Sequence, residues 1–308
     1  VIGLAVVGIS IWLLYKEVRG LSLEELGDSF AAISLSSWFL SSVAAIFAYA
    51  ALAGYDALAL KHLRRSVNWL FISVTSFTTY AISHNLGASV LSGSLIRYRA
   101  YSSKGLTGIE IGQLVAFCSF TFALGTIVLT GVTLIVDPTI AARFLEDISP
   151  EASRGIGILV LLAVAAYVFG SWKQFRPLVI GPVTISYPSL QTVCLQLIIG
   201  PLELLAAAAI IYYALPADGN PGYFPVLGIF LMSFSAALLS TAPGGLGVLE
   251  LFFVNGLPEM QSSDVLAALI VFRLLYLIIP FAVSLVVVLA FERNLLRQQA
   301  QAEAQGRG

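Results

Sequence analysis

The sequence predicts an all-α, polytopic membrane protein: a helix bundle of about six full spans with two re-entrant helical hairpins, the whole arranged as an inverted repeat. Three observations carry this. Hydrophobic residues make up 58% of the 308 positions and charged ones only 11%, where soluble domains carry about a quarter charged residues. Several apolar runs exceed the roughly 20 residues that cross a bilayer. Two polar, glycine-bearing stretches, HNLGASVLSGSLIRYRAYSSKG at 84–105 and TAPGGLGVLE at 241–250, interrupt that apolar background. Irregular polar backbone is tolerated at membrane depth only where protein or a water-filled cavity surrounds it.

Val1 to Tyr15 is apolar and reads as the remnant of a first span, followed by an acidic-leaning connector with Glu24, Glu25 and Asp28. A second span runs from about Ser36 to Leu60, stopped by the basic cluster KHLRR at 61–65. Residues 67–83 are apolar but rich in hydroxyls, and with the stretch that follows they make the first hairpin. Residues 106–136 form a long span ended by Asp137-Pro138, and the connector to Arg154 is acidic. Gly155 to Trp172 is a span, PLVIGPVTISYPS at 177–189 a short hairpin or extended loop, and Leu190 to Leu215 another span. Phe224 to Thr241 breaks at PGGLG and resumes as a short helix over Val248–Leu257, which makes the second hairpin. Val265 to Phe291 is the last span. The chain thus divides into one membrane domain, 1–292, with half-repeats of about 1–154 and 155–292, and a polar tail, 293–308.

Lys and Arg collect on the cytoplasmic side of short loops. If both hairpins return to the face they came from, the basic clusters 61–65, 97–104, 173–176 and 293–297 share one side and the acidic connectors the other, with both termini cytoplasmic. The second arm of each hairpin is short, which favours re-entry over a full crossing.

Charges inside apolar runs are expensive and are site candidates by default. Asp56 lies on a stripe with Ser42 and Tyr49, and either faces the interior or pairs locally with Lys61 or Arg64. Glu203 shares a polar or small face with Gln196 and Gly200. Glu250 opens the helix after PGGLG, where a carboxylate also suits the positive helix end. Glu110 sits at a helix start. Arg273 heads a face with Tyr276, Pro280 and Ser284 and needs an anion: Glu203, Glu250 or a lipid phosphate. Arg97 and Arg99 follow a Ser/Gly-rich helix, and guanidinium grips phosphate bidentately. His84 and Asn85, Gly87 and Gly93 mark the first hairpin, and Pro243, Gly244, Gly245 and Gly247 the second. Cys118 and Cys194 lack metal-ligand spacing and read as small buried residues. No nucleotide-binding GxxxxGK[ST], no HExxH and no GxSxG is present, so no cofactor, metal site, nucleic-acid contact or enzymatic activity is expected of this chain.

The stretches SHNLGASVLSGSLIRYRAYSSKGL, PGGLGVLELFF and LAALIVFRLLYLIIP together resemble the membrane domain of the lysylphosphatidylglycerol synthetase/flippase (MprF-type) family, a likeness that covers most of the chain. The resemblance implies a lipid flippase of the bacterial inner membrane. It would move aminoacylated phosphatidylglycerol, such as the lysyl form, to the outer leaflet and confer resistance to cationic peptides. The implied partners are that phospholipid and a linked cytosolic synthase absent from these 308 residues; apart from the resemblance, a homo-oligomer is open to the chain. It points to Asp56 and Arg97 as the family's acidic and basic positions. On this basis Arg97, Arg273 and Arg99 are expected to hold the lipid phosphate, Asp56, Glu203 and Glu250 the ammonium groups, and the hairpins to form the gates. Three alternatives stay open: a carrier of another polar lipid (cardiolipin or an isoprenoid-linked one), an ion-coupled solute transporter, and a scaffold for the synthase.

Overall fold

The computed structural model describes residues 31, 33–86, 89–145, 148–175, 178–180, 183–185, 187–240, 245 and 247–305. The helices are α1 (Leu35–His62), α2 (Trp69–Leu86), α3 (Ser89–Ser102), α4 (Gly108–Val136), α5 (Pro150–Trp172), α6 (Leu190–Ala214), α7 (Tyr223–Ser240), α8 (Val248–Gly256), α9 (Ser262–Phe272) and α10 (Ile279–Gln305). A π-helical segment, Arg273–Ile278, joins α9 to α10. Between α5 and α6, Leu178–Ile180 and Val183–Ile185 form an antiparallel two-stranded hairpin, β1 and β2. The protein is otherwise an all-α membrane bundle, with five helices among the described residues long and apolar enough to cross a membrane: α1, α4, α5, α6 and the Ser262–Arg293 stretch. The span expected at 1–15 and the connector after it lie outside the described residues.

Helix starts follow side-chain chemistry. Ser34, Ser149 and Ser189 cap α1, α5 and α6 by accepting from the backbone N–H three residues on, which satisfies a donor the helix cannot. Thr107 and Glu110 form a reciprocal capping box at α4, so Glu110 serves the helix start and pairs with Arg65 at 2.7 Å. Two expected boundaries shift. The connector placed through Arg154 ends at Ser149, because Pro150 occupies the first helical turn, where its missing N–H is no loss. The polar tail from 293 continues α10 as helix to Gln305.

The frame is α1, α4 and α6. Helices α1 and α6 meet through small side chains, Ala44, Ala45, Ala48 and Ala51 against Ala206, Ala207 and Ala208, nearly all of them inaccessible. Small residues let helix backbones approach where no water drives association. At the α4–α6 crossing a methyl on Gly200 would stand 2.8 Å from the Thr121 carbonyl oxygen and 3.2 Å from the Gly125 Cα. Likewise one on Gly157 of α5 would stand 2.8 Å from the Gly131 carbonyl oxygen of α4. Against this frame pack the two hairpin regions. Helices α2 and α3 pair with Gly93 set against Thr79, whose methyl would lie 3.1 Å from an added Cβ. Helices α7 and α8 pair across a break where Gly245 and Gly247 have φ of +66° and +80°, values that suit glycine. Gly87, Pro243 and Gly244 lie outside the described residues.

Candidate functional site

Asp56 is fully buried on α1 and Arg97, on α3, is 5% exposed. They are each other's partner: Arg97 Nη2 donates to Asp56 Oδ1 at 2.6 Å and Nε to Oδ2 at 3.2 Å. Tyr101, one turn beyond Arg97, donates to Asp56 Oδ2 at 2.8 Å, and the Cys118 thiol of α4 lies 3.5 Å from Oδ1. The Tyr80 ring of α2 covers the guanidinium, 4.8 Å from its Cζ. Neither Lys61 nor Arg64 pairs with Asp56 among the described ion pairs; the interior-facing alternative is the one realised. Cys118 is buried as expected, whereas Cys194 is exposed, because α6 turns that face outward.

Glu203 of α6 lies at the centre of a second cluster. It is 1% exposed. Its Oε1 accepts from the Tyr276 hydroxyl, and its Oε2 has no hydrogen-bond partner. Gln196, on the same face, donates to Thr121 at 2.9 Å, and Gly200 supplies the close crossing with Gly125. The polar and small face read from the sequence therefore points inward. His84 stacks on Tyr276 with ring centres 5.3 Å apart, and its Nδ1 lacks a partner.

Tyr276 is placed by the π segment and by Pro280. Proline has no N–H to bond the carbonyl four residues back. That carbonyl is Tyr276 O, and Tyr49 of α1 donates to it at 2.9 Å. Asn85 of α2 donates to the next carbonyl, Leu277 O, at 3.2 Å. Single π turns inside α-helices often mark functional sites; here the turn sets Arg273 and Tyr276 inward together.

Arg273 is the third centre. Its Nη2 and Nε both donate to Glu250 Oε1, at 2.7 and 3.0 Å, and Glu250 Oε2 accepts from the Gly247 N–H at 2.8 Å. Of the anions the sequence offered Arg273, the structure selects Glu250, which also caps α8. Arg99, on the opposite face of α3 from Arg97, pairs with Glu292 of α10 at 2.8 Å.

The three centres connect. Tyr80 touches Arg97 on one side and His84 on the other, with ring centres 5.7 Å apart. His84 stacks on Tyr276, which bonds Glu203 and shares its turn with Arg273. A polar and aromatic path thus runs through the bundle from Asp56–Arg97 to Arg273–Glu250. Sequence reasoning missed Tyr80, Tyr101 and Tyr55, the last donating to Gly200 O at 2.9 Å. Each carried one signal: a phenol in an apolar span needs a hydrogen-bond partner. Tyr80 and Tyr101 also stand one turn from His84 and Arg97, on the same helix faces. Among the described residues no three His, Cys, Asp or Glu side chains converge on a point that could hold a metal ion.

A multi-pass helical membrane protein with paired charges in its core defines the class. No family model matches the chain. The Synechocystis sp. protein slr0712 is 33% identical over 268 residues, which covers 83% of this chain and 81% of that one. The Escherichia coli inner membrane protein YbhN is 30% identical over 253 residues, 81% of this chain and 78% of YbhN. The phosphatidylglycerol lysyltransferase of Staphylococcus haemolyticus is 22% identical over 278 residues, 89% of this chain but 31% of that protein. The chain belongs to the MprF-type family, with YbhN and the matching region of the lysyltransferases.

Proposed function

We propose that the chain is a lipid flippase of the inner membrane. Its substrate would be an aminoacylated phosphatidylglycerol such as lysyl-phosphatidylglycerol, moved from the inner to the outer leaflet. The observation that most supports this is the buried, bidentate Asp56–Arg97 pair. Removing two charges from water costs several kcal/mol per ion, and apolar residues of similar volume often pack as stably. Ionisable groups held at membrane depth are functional by default. The substrate carries a phosphate and ammonium groups. Arg97 suits the phosphate, because a guanidinium fork matches its oxygens, and Asp56 suits an ammonium.

In this structure each neutralises the other. Headgroup entry exchanges partners, phosphate for Asp56 and ammonium for Arg97, so that no lone charge is left in a low-dielectric interior. Glu203, with one carboxylate oxygen unpartnered, offers a further place for an ammonium, and Arg273–Glu250 repeats the exchange beside the second hairpin. The hairpins α2–α3 and α7–α8 serve as the gates. A cytosolic synthase, linked or separate, supplies the aminoacyl lipid. Its outward delivery lowers the negative surface charge that attracts basic peptides.

The test is reconstitution in liposomes with labelled lysyl-phosphatidylglycerol in one leaflet, beside unmodified phosphatidylglycerol. Fast movement of the aminoacyl lipid, lost in Arg97→Ala and in Asp56→Ala, is the expected outcome; undiminished movement in both folded variants ends the proposal. A second reading, a different polar lipid such as cardiolipin or an isoprenoid-linked one, draws support from the identities. Relatives matched over most of their own length, at 33% and 30%, outrank the lysyltransferase at 22%. It predicts movement of that lipid, and not of the lysyl form, in the same vesicles.

A further inference from the structure

A cavity of about 180 Å³ lies between α2, α3 and α10, with neither Asp56 nor Arg97 among its walls. Phe71, Thr78 and Ile82 of α2, Leu95 of α3, and Val288 and Phe291 of α10 are among its walls. Thr78 and Ile82 are buried at its floor, while Val74 and Leu95 at its rim are exposed, so the cavity opens sideways on the outer surface of the bundle. An apolar cavity of about 150 Å³ stays dry and admits a benzene-sized guest. From Phe71 to Ile82 the wall extends about 16 Å at the helical rise of 1.5 Å per residue, the scale of a fatty chain.

The mouth is charged. Arg99 and Glu292 line the cavity at one end and pair there at 2.8 Å. Lys104 rests its ammonium over the Phe71 ring, 4.6 Å from the centre, and has no carboxylate partner among the described ion pairs. One ion pair on the wall, and a further cation seated on the wall residue Phe71, thus border an apolar slot.

We infer that this slot is a phospholipid-binding site, with one acyl chain lying between α2, α3 and α10 and the phosphate taken by Arg99 and Lys104. A headgroup that also carries an ammonium replaces both halves of the Arg99–Glu292 pair, phosphate to Arg99 and ammonium to Glu292. A purely anionic headgroup leaves Glu292 unpaired at the rim, partly open to water. The Phe71 ring lies against the Tyr101 ring, with centres 6.1 Å apart, and Tyr101 bonds Asp56. The slot therefore borders the buried pair through two rings and is placed to receive lipid from the bilayer before headgroup exchange. That place in the transport sequence rests on the flippase proposal; occupancy of the slot does not.

The test uses the purified chain in vesicles of phosphatidylglycerol and phosphatidylethanolamine that contain a phosphatidylglycerol with a photoreactive diazirine at the end of one acyl chain. After illumination, digestion and mass spectrometry, adducts should concentrate on the walls away from the charged mouth, at 78–82, 95–96 and 287–288. Val288→Trp, which fills the slot, should cut that labelling about five-fold or more, and Leu95→Trp, at an exposed rim position, should do the same if Val288→Trp fails to fold. Adducts spread evenly over every lipid-facing helix, or labelling unchanged in a folded tryptophan variant, would overturn the site. Transport measured in the same vesicles separates the two proposals. Slot labelling without any lipid movement upholds the site and removes the flippase role. Movement that persists with no slot labelling removes the site alone.

Discussion

The two hairpin regions hold their arginine–carboxylate pairs in opposite ways. In the first, Asp56 is closed off by Arg97, Tyr101 and Cys118, and both partners are out of reach of solvent. In the second, Glu250 is 28% exposed and divides its oxygens between Arg273 and the Gly247 N–H. The short helix α8 is held at its other end as well: Arg143 donates to Gly256 O at 2.6 Å and pairs with Glu259 at 2.6 Å. The arginines are equally buried, and the carboxylates differ: the first pair is one deep lock inside the bundle, while the second joins Arg273 to a carboxylate that water can reach, at one end of a helix fastened at both. A deep lock costs more to open and discriminates more strongly between ligands that can and cannot replace its partners, whereas a shallow one opens more readily.

The largest expected effect is at the first. Asp56→Ala strands a buried guanidinium, and breaking a buried pair in this way costs about 3–5 kcal/mol, read as a fall in the thermal or denaturant midpoint in detergent. The double variant Asp56→Leu with Arg97→Met should recover most of that loss, because an apolar replacement of a buried pair is often neutral, while transport stays absent. Recovery of both stability and transport would make the pair purely structural. The second pair should matter less for stability. Glu250→Ala also deprives a buried guanidinium, Arg273, of its carboxylate and removes a cap, but water reaches the Glu250 side and can take its place, so the cost is about 1–3 kcal/mol; if the midpoint falls as far as in Asp56→Ala the contrast between the regions is wrong.

The smallest effect belongs to the outer fastening. The Arg143 guanidinium holds the Glu259 carboxyl below the usual carboxylate range. A depressed folded-state value means that the stabilisation is present above the unfolded value of about 4.3 and fades as pH falls through the lower folded value. Glu259 is 40% exposed, so Glu259→Gln should remove only about 0.2–1 kcal/mol at neutral pH. It should remove nothing in strong acid, as comparison of midpoints at the two pH values will show.

The spans were readable because bilayer thickness sets the length of an apolar run, and because Asp137-Pro138, KHLRR and PADGN stop such runs chemically. Both helix pairs were also visible, since glycine and proline punctuate 241–247 and polar residues crowd 84–104. Partner choice was not readable. The sequence offered Arg97 and Asp56 as separate binders of phosphate and ammonium, and it contains no distance, so a pairing across 41 positions could not be told from two independent charges. The π segment was hidden for a similar reason. Pro280 announced a freed carbonyl, but which side chain would claim it depended on Tyr49, in a helix from the other half of the chain. The slot between α2, α3 and α10 is lined by Val, Leu, Phe and Thr, which read like any lipid-facing surface. Only the position of Glu292 opposite Arg99 sets it apart.

The crossing at Gly125 and Gly200 has a mechanical consequence. Helices that meet through side chains can slide, because rotamers re-form around each new register. Backbones that meet with nothing between them have no such slack, and a small displacement drives a carbonyl of one into the Cα of the other. With Gly131 and Gly157 making a second such contact, α4 locks α5 and α6 into a stator. Any larger rearrangement is left to the parts that touch this stator through longer side chains: α2–α3, α7–α8 and the last helix, divided at its π segment into two levers.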